Sequence, residues 1–226
     1  MIEITGLKHK ILSVNSLLIP EGYCCVTGEN GSGKSTLLKL CSGIERPDAG
    51  KITIDNKNIR SINVGYVSEF PDRNIIFENV FNEIASPLRF SHYPSKEIET
   101  IVQNTSKTLG IANILNRRTT DLSGGEKTFV SLATALVMKP EILVLDETDS
   151  HLDFETNNEL KNILCGISEI SHIIHCTQDM NTAYESDYVL FLQKGNIEIY
   201  GKPDFVFEKL KNTCFYPHKR RLEEFA

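Results

Sequence analysis

Apolar and polar residues alternate through "IEITGL" (2–7) and "ILSVNSLLI" (11–19), which predicts strands with one buried face. After Pro20-Glu21-Gly22, the compact run "YCCVT" (23–27) predicts a buried strand. A glycine-rich turn then leads into "STLLKLCSGI" (35–44), which has helical spacing. "KITIDN" (51–56) and "NVGYV" (63–67) read as further strands, and from about Phe77 to Met138 the spacing is mostly helical. "EILVLDE" (141–147) is short and apolar enough for a buried parallel strand. A helix around 155–168, the strand "HIIHC" (172–176), a strand–turn–strand over "YVLFLQKGNIEIYG" (188–201) and a closing helix "DFVFEKL" (204–210) complete the pattern. Strands alternating with helices predict an α/β fold with a largely parallel sheet.

Composition narrows the class. A chain of 226 residues, 40% hydrophobic and 24% charged, is ordinary globular material for one large domain or two small ones. No run approaches the roughly 18 apolar residues of a membrane span. The start "MIEITGLKHK" lacks the apolar stretch of a secretion signal. A net charge of −6 offers no basic stripe for phosphate backbones, so no nucleic-acid partner is expected. "HKRR" (218–221), followed by "LEEF", reads as a solvated tail. The six cysteines form no C-x-x-C pair and most sit in apolar runs, as in a reduced cytosolic protein.

Candidate chemistry begins at Gly28-Glu29-Asn30-Gly31-Ser32-Gly33-Lys34-Ser35, with Thr36 beside it. This is G-x-x-x-x-G-K-S between a predicted strand and a predicted helix, a phosphate-binding loop. Its glycines let successive amides point at an anion, and the helix presents its positive end to the same phosphates. Lys34 can reach the β- and γ-phosphates of a nucleotide, and Ser35 can ligate Mg²⁺. Downstream, "ILVLDE" ends an apolar strand on two acids. Ionised groups beside a buried strand are costly unless they have work or partners. Asp146 suits holding Mg²⁺ opposite Ser35, and Glu147 suits polarising the attacking water.

"DLSGGEKTFVSLATALVMKP" (121–140) predicts an amphipathic helix stopped by Pro140, with Phe129, Leu132, Ala133, Leu136 and Val137 on its apolar face. Ser123 and Glu126 form the S-x-x-E pattern of a capping box. Capping leaves Gly124 and Gly125 unexplained, because each glycine weakens a helix by about 1 kcal/mol. Adjacent glycines there expose amides for a second close approach by an anion.

"LSGGE" closely resembles the LSGGQ signature of ABC ATPases, and "SHLD" (150–153) resembles the loop after their catalytic Glu. With the phosphate loop and "ILVLDE", the order and spacing match across essentially the whole chain. "VGYVSEFPDRNIIFENVFNEIA" (64–85) and "IEIYGKPDFVFEKL" (197–210) look most like the ATPases of energy-coupling-factor and cobalt/nickel importers. The resemblance implies one nucleotide-binding domain over 1–226. Its parts are a P-loop NTPase (RecA-like) core, an antiparallel β subdomain and a helical subdomain at about 77–140. It also implies a head-to-tail dimer with a second ATPase subunit, ATP lying between one phosphate loop and Ser123, Gly124, Gly125 and Glu126 of the other copy. A transmembrane transporter subunit would complete the assembly, with this chain peripheral on the cytoplasmic face. The substrate class it suggests is a vitamin or transition-metal ion. The other reading of the same motifs is a soluble clamp or regulatory ATPase tied to no transporter.

Three positions depart from the family pattern. The signature Gln is Glu126, which caps a helix as well as Gln does. The loop Gln that helps sense Mg²⁺ and water aligns with Glu69, which keeps an oxygen for the metal but loses the N–H₂ donors. The family's T-H-D is Thr177-Gln178-Asp179 here. Strand alternation makes His175 a core residue and leaves Gln178 at the switch position, where an amide carries no proton. These changes imply slow hydrolysis at sites built from this chain's own phosphate loop, and of the two arrangements, homodimer or heterodimer, they suggest pairing with a different subunit whose sites are complete. No aromatic residue precedes Tyr23 to stack an adenine; His9 is a candidate for that contact, the other reading being a plain surface histidine.

Overall fold

The computed structural model describes residues 1–167 and 169–223. In chain order it contains β1 (Ile2–His9), β2 (Leu12–Ile19), β3 (Gly22–Gly28), α1 (Lys34–Cys41), β4 (Ala49–Ile54), β5 (Lys57–Asn58) and β6 (Val64–Val67). The helices α2 (Val80–Phe90), α3 (Ser95–Thr108) and α4 (Gly124–Leu136) follow. β7 (Ile142–Asp146), α5 (Phe154–Gly166), β8 (His172–Cys176), α6 (Met180–Tyr184), β9 (Tyr188–Gln193), β10 (Asn196–Gly201), α7 (Pro203–Leu210) and α8 (His218–Glu223) complete it.

Two sheets form. One is antiparallel with the order β2-β1-β4-β5, and the other has six strands in the order β10-β9-β3-β8-β7-β6. In the larger sheet every neighbouring pair is parallel except β9 with β10. The fold is that of a P-loop NTPase with an antiparallel β layer and a helical group, α2 packing on both α3 and α4.

Side-chain alternation splits the core into two layers. Cys24, Val26, Ile142, Val144, Ile174 and Cys176 face α1 and the antiparallel sheet. Tyr23, Cys25, Leu143, Leu145 and Ile173 face the helical side. Burial on both faces explains why the central strands read as continuous apolar runs rather than as alternation. The same rule puts Asp146 on the α1 side and His175 on the opposite one.

One sequence expectation changes. The helix from the signature stops at Leu136, before Pro140, because Lys139 turns into the left-handed region at φ 48° and a residue preceding proline disfavours helix. The tail is exposed, as expected of a solvated segment, but it is ordered as helix α8 and makes surface ion pairs. Lys219 approaches Glu185 at 3.6 Å, Arg220 pairs with Asp204 at 3.0 Å, and the Arg220 guanidinium covers the Tyr184 ring at 4.5 Å. Residues 224–226 of that tail lie outside the described residues.

Candidate functional site

β3 delivers the chain into the phosphate loop at Gly28, whose φ is 140°. A Cβ there would sit 2.0 Å from the Leu192 carbonyl oxygen, so only glycine fits between β3 and β9. The loop is tied to the β9–β10 turn by Gly195 N–H donating to Ser32 O at 3.0 Å, and Gln193 donates to Glu29 Oε1 at 2.9 Å. α1 then starts from Gly33 in left-handed backbone with no side-chain cap. Its first amides are therefore open to an anion. The Ser32 hydroxyl is buried in this loop without a hydrogen-bond partner. Lys34 is 5% exposed and donates to the carbonyls of Gly28 and Glu29, each at 3.1 Å. Thr36 lies half-buried in the first turn.

Ser35 and Asp146 are 111 residues apart in the chain, and Ser35 Oγ donates to Asp146 Oδ1 at 2.9 Å. Tyr66 donates to the other oxygen, Oδ2, also at 2.9 Å. Burial and the Asp146 charge push the Tyr66 phenol well up, so it stays a donor. A hydroxyl beside a carboxylate suits Mg²⁺, which takes one or two protein ligands and keeps its other positions for phosphate and water. Glu69 is not brought to this pair by any hydrogen bond among the described residues. Its Oε1 faces His151 Nε2 at 3.8 Å instead.

Glu147 follows Asp146 in strained backbone, φ 49°. Its amide donates to Cys176 O at 3.0 Å, which places the carboxylate at the end of β8. Oε1 lies 3.8 Å from Lys34 Nζ, and Oε2 accepts from Gln178 Nε2 at 2.8 Å. Gln178 Nε2 also lies 3.5 Å from Asn30 Oδ1. Gln178 thus bridges the acidic strand end and the phosphate loop. A cavity of about 310 Å³ opens here, lined by Gly28, Glu29, Asn30, Gln178, Met180 and Phe215.

His175 sits on the other face, 1% exposed. Its Nδ1 shares a 2.7 Å hydrogen bond with Tyr23 OH, and its Nε2 lies 3.4 Å from Asp149 Oδ1. Burial alone disfavours the charged ring, but the Asp149 carboxylate more than offsets this and raises its pKa to about 10. Asp149 is likewise driven up by burial, and the His175 charge brings it net below the usual carboxylate range.

At the signature, Ser123 Oγ accepts from Glu126 N–H at 3.2 Å, and Glu126 Oε2 accepts from Ser123 N–H at 2.8 Å. Arg117 donates to Glu126 Oε1 at 2.7 Å. The extra negative charge of Glu126 is therefore paired, and its carboxyl is held below the usual range, chiefly by the Ser123 amide. Ser123, Gly124, Gly125 and Glu126 line a cavity of about 460 Å³ together with His151, Asp153 and Thr156. It shares no lining residue with the cavity at the phosphate loop.

His9 was a candidate for the adenine contact. Its ring nitrogens meet Glu45 at 2.8 Å and Asp48 at 3.0 Å, and the side chain is 12% exposed. Two carboxylates fix it as an anchor of the β1–β2 turn. The exposed apolar side chain of that turn is Ile11, and its Cγ2 lies 3.2 Å from where a Cβ at Gly33 would be.

Sequence reasoning missed Tyr66, Arg117 and Asp149. Tyr66 could be found from "VGYV" only once β6 is known to pair with β7, which aligns Tyr66 with Val144 and so with the face of Asp146.

Residues 13–150 match the family described as ABC transporter. The chain is 34% identical over 209 residues to the energy-coupling factor transporter ATP-binding protein EcfA1 of Mycoplasma pneumoniae, covering 89% of this chain and 75% of that one. It is 35% identical over 224 residues to EcfA1 of Fusobacterium nucleatum, covering 92% and 84%. Its fold is similar to that of cbiO1 from Clostridium perfringens, described as part of the ABC transporter complex cbiONQ. There the TM-score is 0.83 at 27% identity, over 94% of this chain and 95% of that one.

Proposed function

The chain belongs to the ABC transporter family of ATP-binding proteins, and from that premise we propose that it is an ATP-hydrolysing subunit of a membrane importer, acting on the cytoplasmic face. Residues 28–36 bind the phosphates through open amides and the Lys34 ammonium. Ser35 and Asp146 would hold Mg²⁺, which when bound neutralises charge on the β- and γ-phosphates. Glu147 orients and deprotonates the attacking water. Glu69 contributes an oxygen toward the metal only if it leaves His151.

The signature residues 123–126 lie in a separate cavity from the phosphate loop of their own chain. That separation supports a head-to-tail arrangement in which a second ATPase subunit completes each site. The relatives' names support a partner of that kind and a membrane subunit. Among the described residues no helix is long and apolar enough to cross a membrane, and this reading assigns the spanning part to the transporter subunit. Phe70 and Ile76, the latter 80% exposed, give the Glu69–Phe77 segment an apolar surface for it.

Hydrolysis at sites built from this chain's own loop is slow. The observation that carries this is the 2.8 Å hydrogen bond from Gln178 to Glu147. An amide at that point orients the carboxylate and accepts no proton near neutral pH. Gln178→His is expected to raise turnover about 100-fold, the lower end of the range for a positioned acid–base group. Equal turnover of the two homodimers would falsify the slow-site reading. Affinity capture of the chain from detergent-solubilised membranes is expected to bring down a multi-span protein. Capture of soluble chains alone would favour the clamp reading.

A further inference from the structure

Glu147 is held in a backbone conformation that costs a non-glycine residue energy, at φ 49°. Such strain persists only where the surroundings over-determine it. The local bonds are few. Ser150 donates to the Glu147 carbonyl, from its amide at 3.2 Å and its hydroxyl at 2.8 Å. The loop must therefore be fixed from further inside; Thr148 is buried with its hydroxyl unpartnered, and the next buried side chain with polar partners is Asp149.

Asp149 contacts β8 and the turn after it, and through His175 is linked to β3. Its Oδ2 accepts from Thr177 Oγ1 at 2.5 Å, and its Oδ1 lies 3.4 Å from His175 Nε2. The latter contact is an ion pair without hydrogen-bond alignment. His175 in turn meets Tyr23 at the start of β3, the strand that carries the phosphate loop. Thr177 Oγ1 accepts from Asp179 N–H at 3.0 Å and so shapes the turn holding Gln178. The side chains of His175 and Asp149 are 1% and 4% exposed, respectively. A buried pair like this adds little net stability compared with apolar residues of the same size. Its geometric effect is large, because it ties the loop of Glu147 to the turn of Gln178.

We propose that the buried His175–Asp149 pair is a positioning device that holds Glu147 and Gln178 in their reactive contact. Neither residue of the pair touches the nucleotide. The proposal rests on the reading of the chain as an ATPase, so its test needs one readout that does not depend on turnover.

The test uses the full chain with His175→Val and Asp149→Ala made singly and together. Each single variant strands one buried charge, so the double variant is expected to melt above both. The double variant is expected to keep its affinity for MgATP within about twofold, while kcat falls about tenfold or more, since small displacements of a reacting group are costly. The size-matched neutral pair His175→Gln/Asp149→Asn, which can remake the hydrogen bonds, is expected to recover most of the lost rate. Hydrogen exchange without nucleotide is expected to quicken in the segment 146–153 of the Val/Ala variant and not in 28–36. Wild-type kcat, or unchanged protection of 146–153, overturns the proposal. So does an equal loss of binding and rate. A wild-type chain with no ATPase activity in any assembly would defeat the ATPase reading, and the exchange result would still decide the positioning role.

Discussion

Two helices of this protein start from glycines, and the fold treats them in opposite ways. α1 leaves Gly33 with no capping side chain, and the nearest hydroxyl, on Ser32, is buried without a partner. α4 closes both halves of a capping box between Ser123 and Glu126, and Arg117 neutralises the acid. The first start is unsatisfied and enclosed, so an anion completes it within one chain. The second is satisfied and open on the surface, with Ser123 and Gly124 exposed. Its glycines admit a close approach from outside without the chain needing one for stability. Glycines at a helix start are thus one feature with two uses, and the state of the remaining polar groups tells them apart.

The comparison breaks most severely at Lys34. Lys34→Ala removes a buried ammonium with two carbonyl partners, and hydrogen bonds to charged groups contribute roughly 1.5–3 kcal/mol each. MgATP binding, read by titration with a fluorescent nucleotide, is expected to weaken at least ~100-fold. Affinity within a few-fold of wild type would show that the α1 start is not the binding element.

A smaller effect is expected at the other start. Arg117→Ala leaves the Glu126 charge unpaired where the nucleotide of a second subunit would approach. An exposed pair contributes about 0.2–1 kcal/mol, so ATP-driven dimerisation, measured by sedimentation, is expected to weaken by up to about fivefold. Adding Glu126→Gln should restore it. A dimer indifferent to both changes removes any role for the pair at the interface.

The smallest effect is a pH dependence confined to α4. Glu126 has a folded pKa below its ordinary value of about 4.3. Its contribution is therefore present above that value and is lost as pH falls through the lowered folded value. Titration of Glu126 by NMR is expected to give a depressed midpoint that rises toward the ordinary value in Arg117→Ala.

Much of this was legible in the chain. The phosphate loop, the two acids at the end of β7 and the capping box are runs of a few residues whose chemistry is local. The switch glutamine was also legible, because alternation along β8 separates His175 from residue 178. Other features were not. Glu69 was expected at the metal, yet the fold sets it against His151 and gives the second oxygen of Asp146 to Tyr66. His9 was one candidate for an adenine contact beside a plain surface role, and the sequence did not show the two acids from the segment before β4 that meet its ring. The basic tail is exposed as read, but its surface pairs with Glu185 and Asp204 could not be seen in the sequence. In each case the deciding group lies far along the chain.

The sequence by itself determined most of the strands and the longer helices, though not the short helices α6 and α8, and also where the phosphate loop needs glycine and which helix start is capped. These follow from residues within about a turn of one another, where propensity and hydrogen bonding act directly. Tertiary structure alone decided which side chains meet. The strand order β3-β8-β7-β6 brings Ser35 to Asp146, Gln178 to Glu147, and His175 to Asp149 and Tyr23. That order is set by burying both faces of one sheet at once, and the balance is struck over the whole core rather than at any short stretch of sequence.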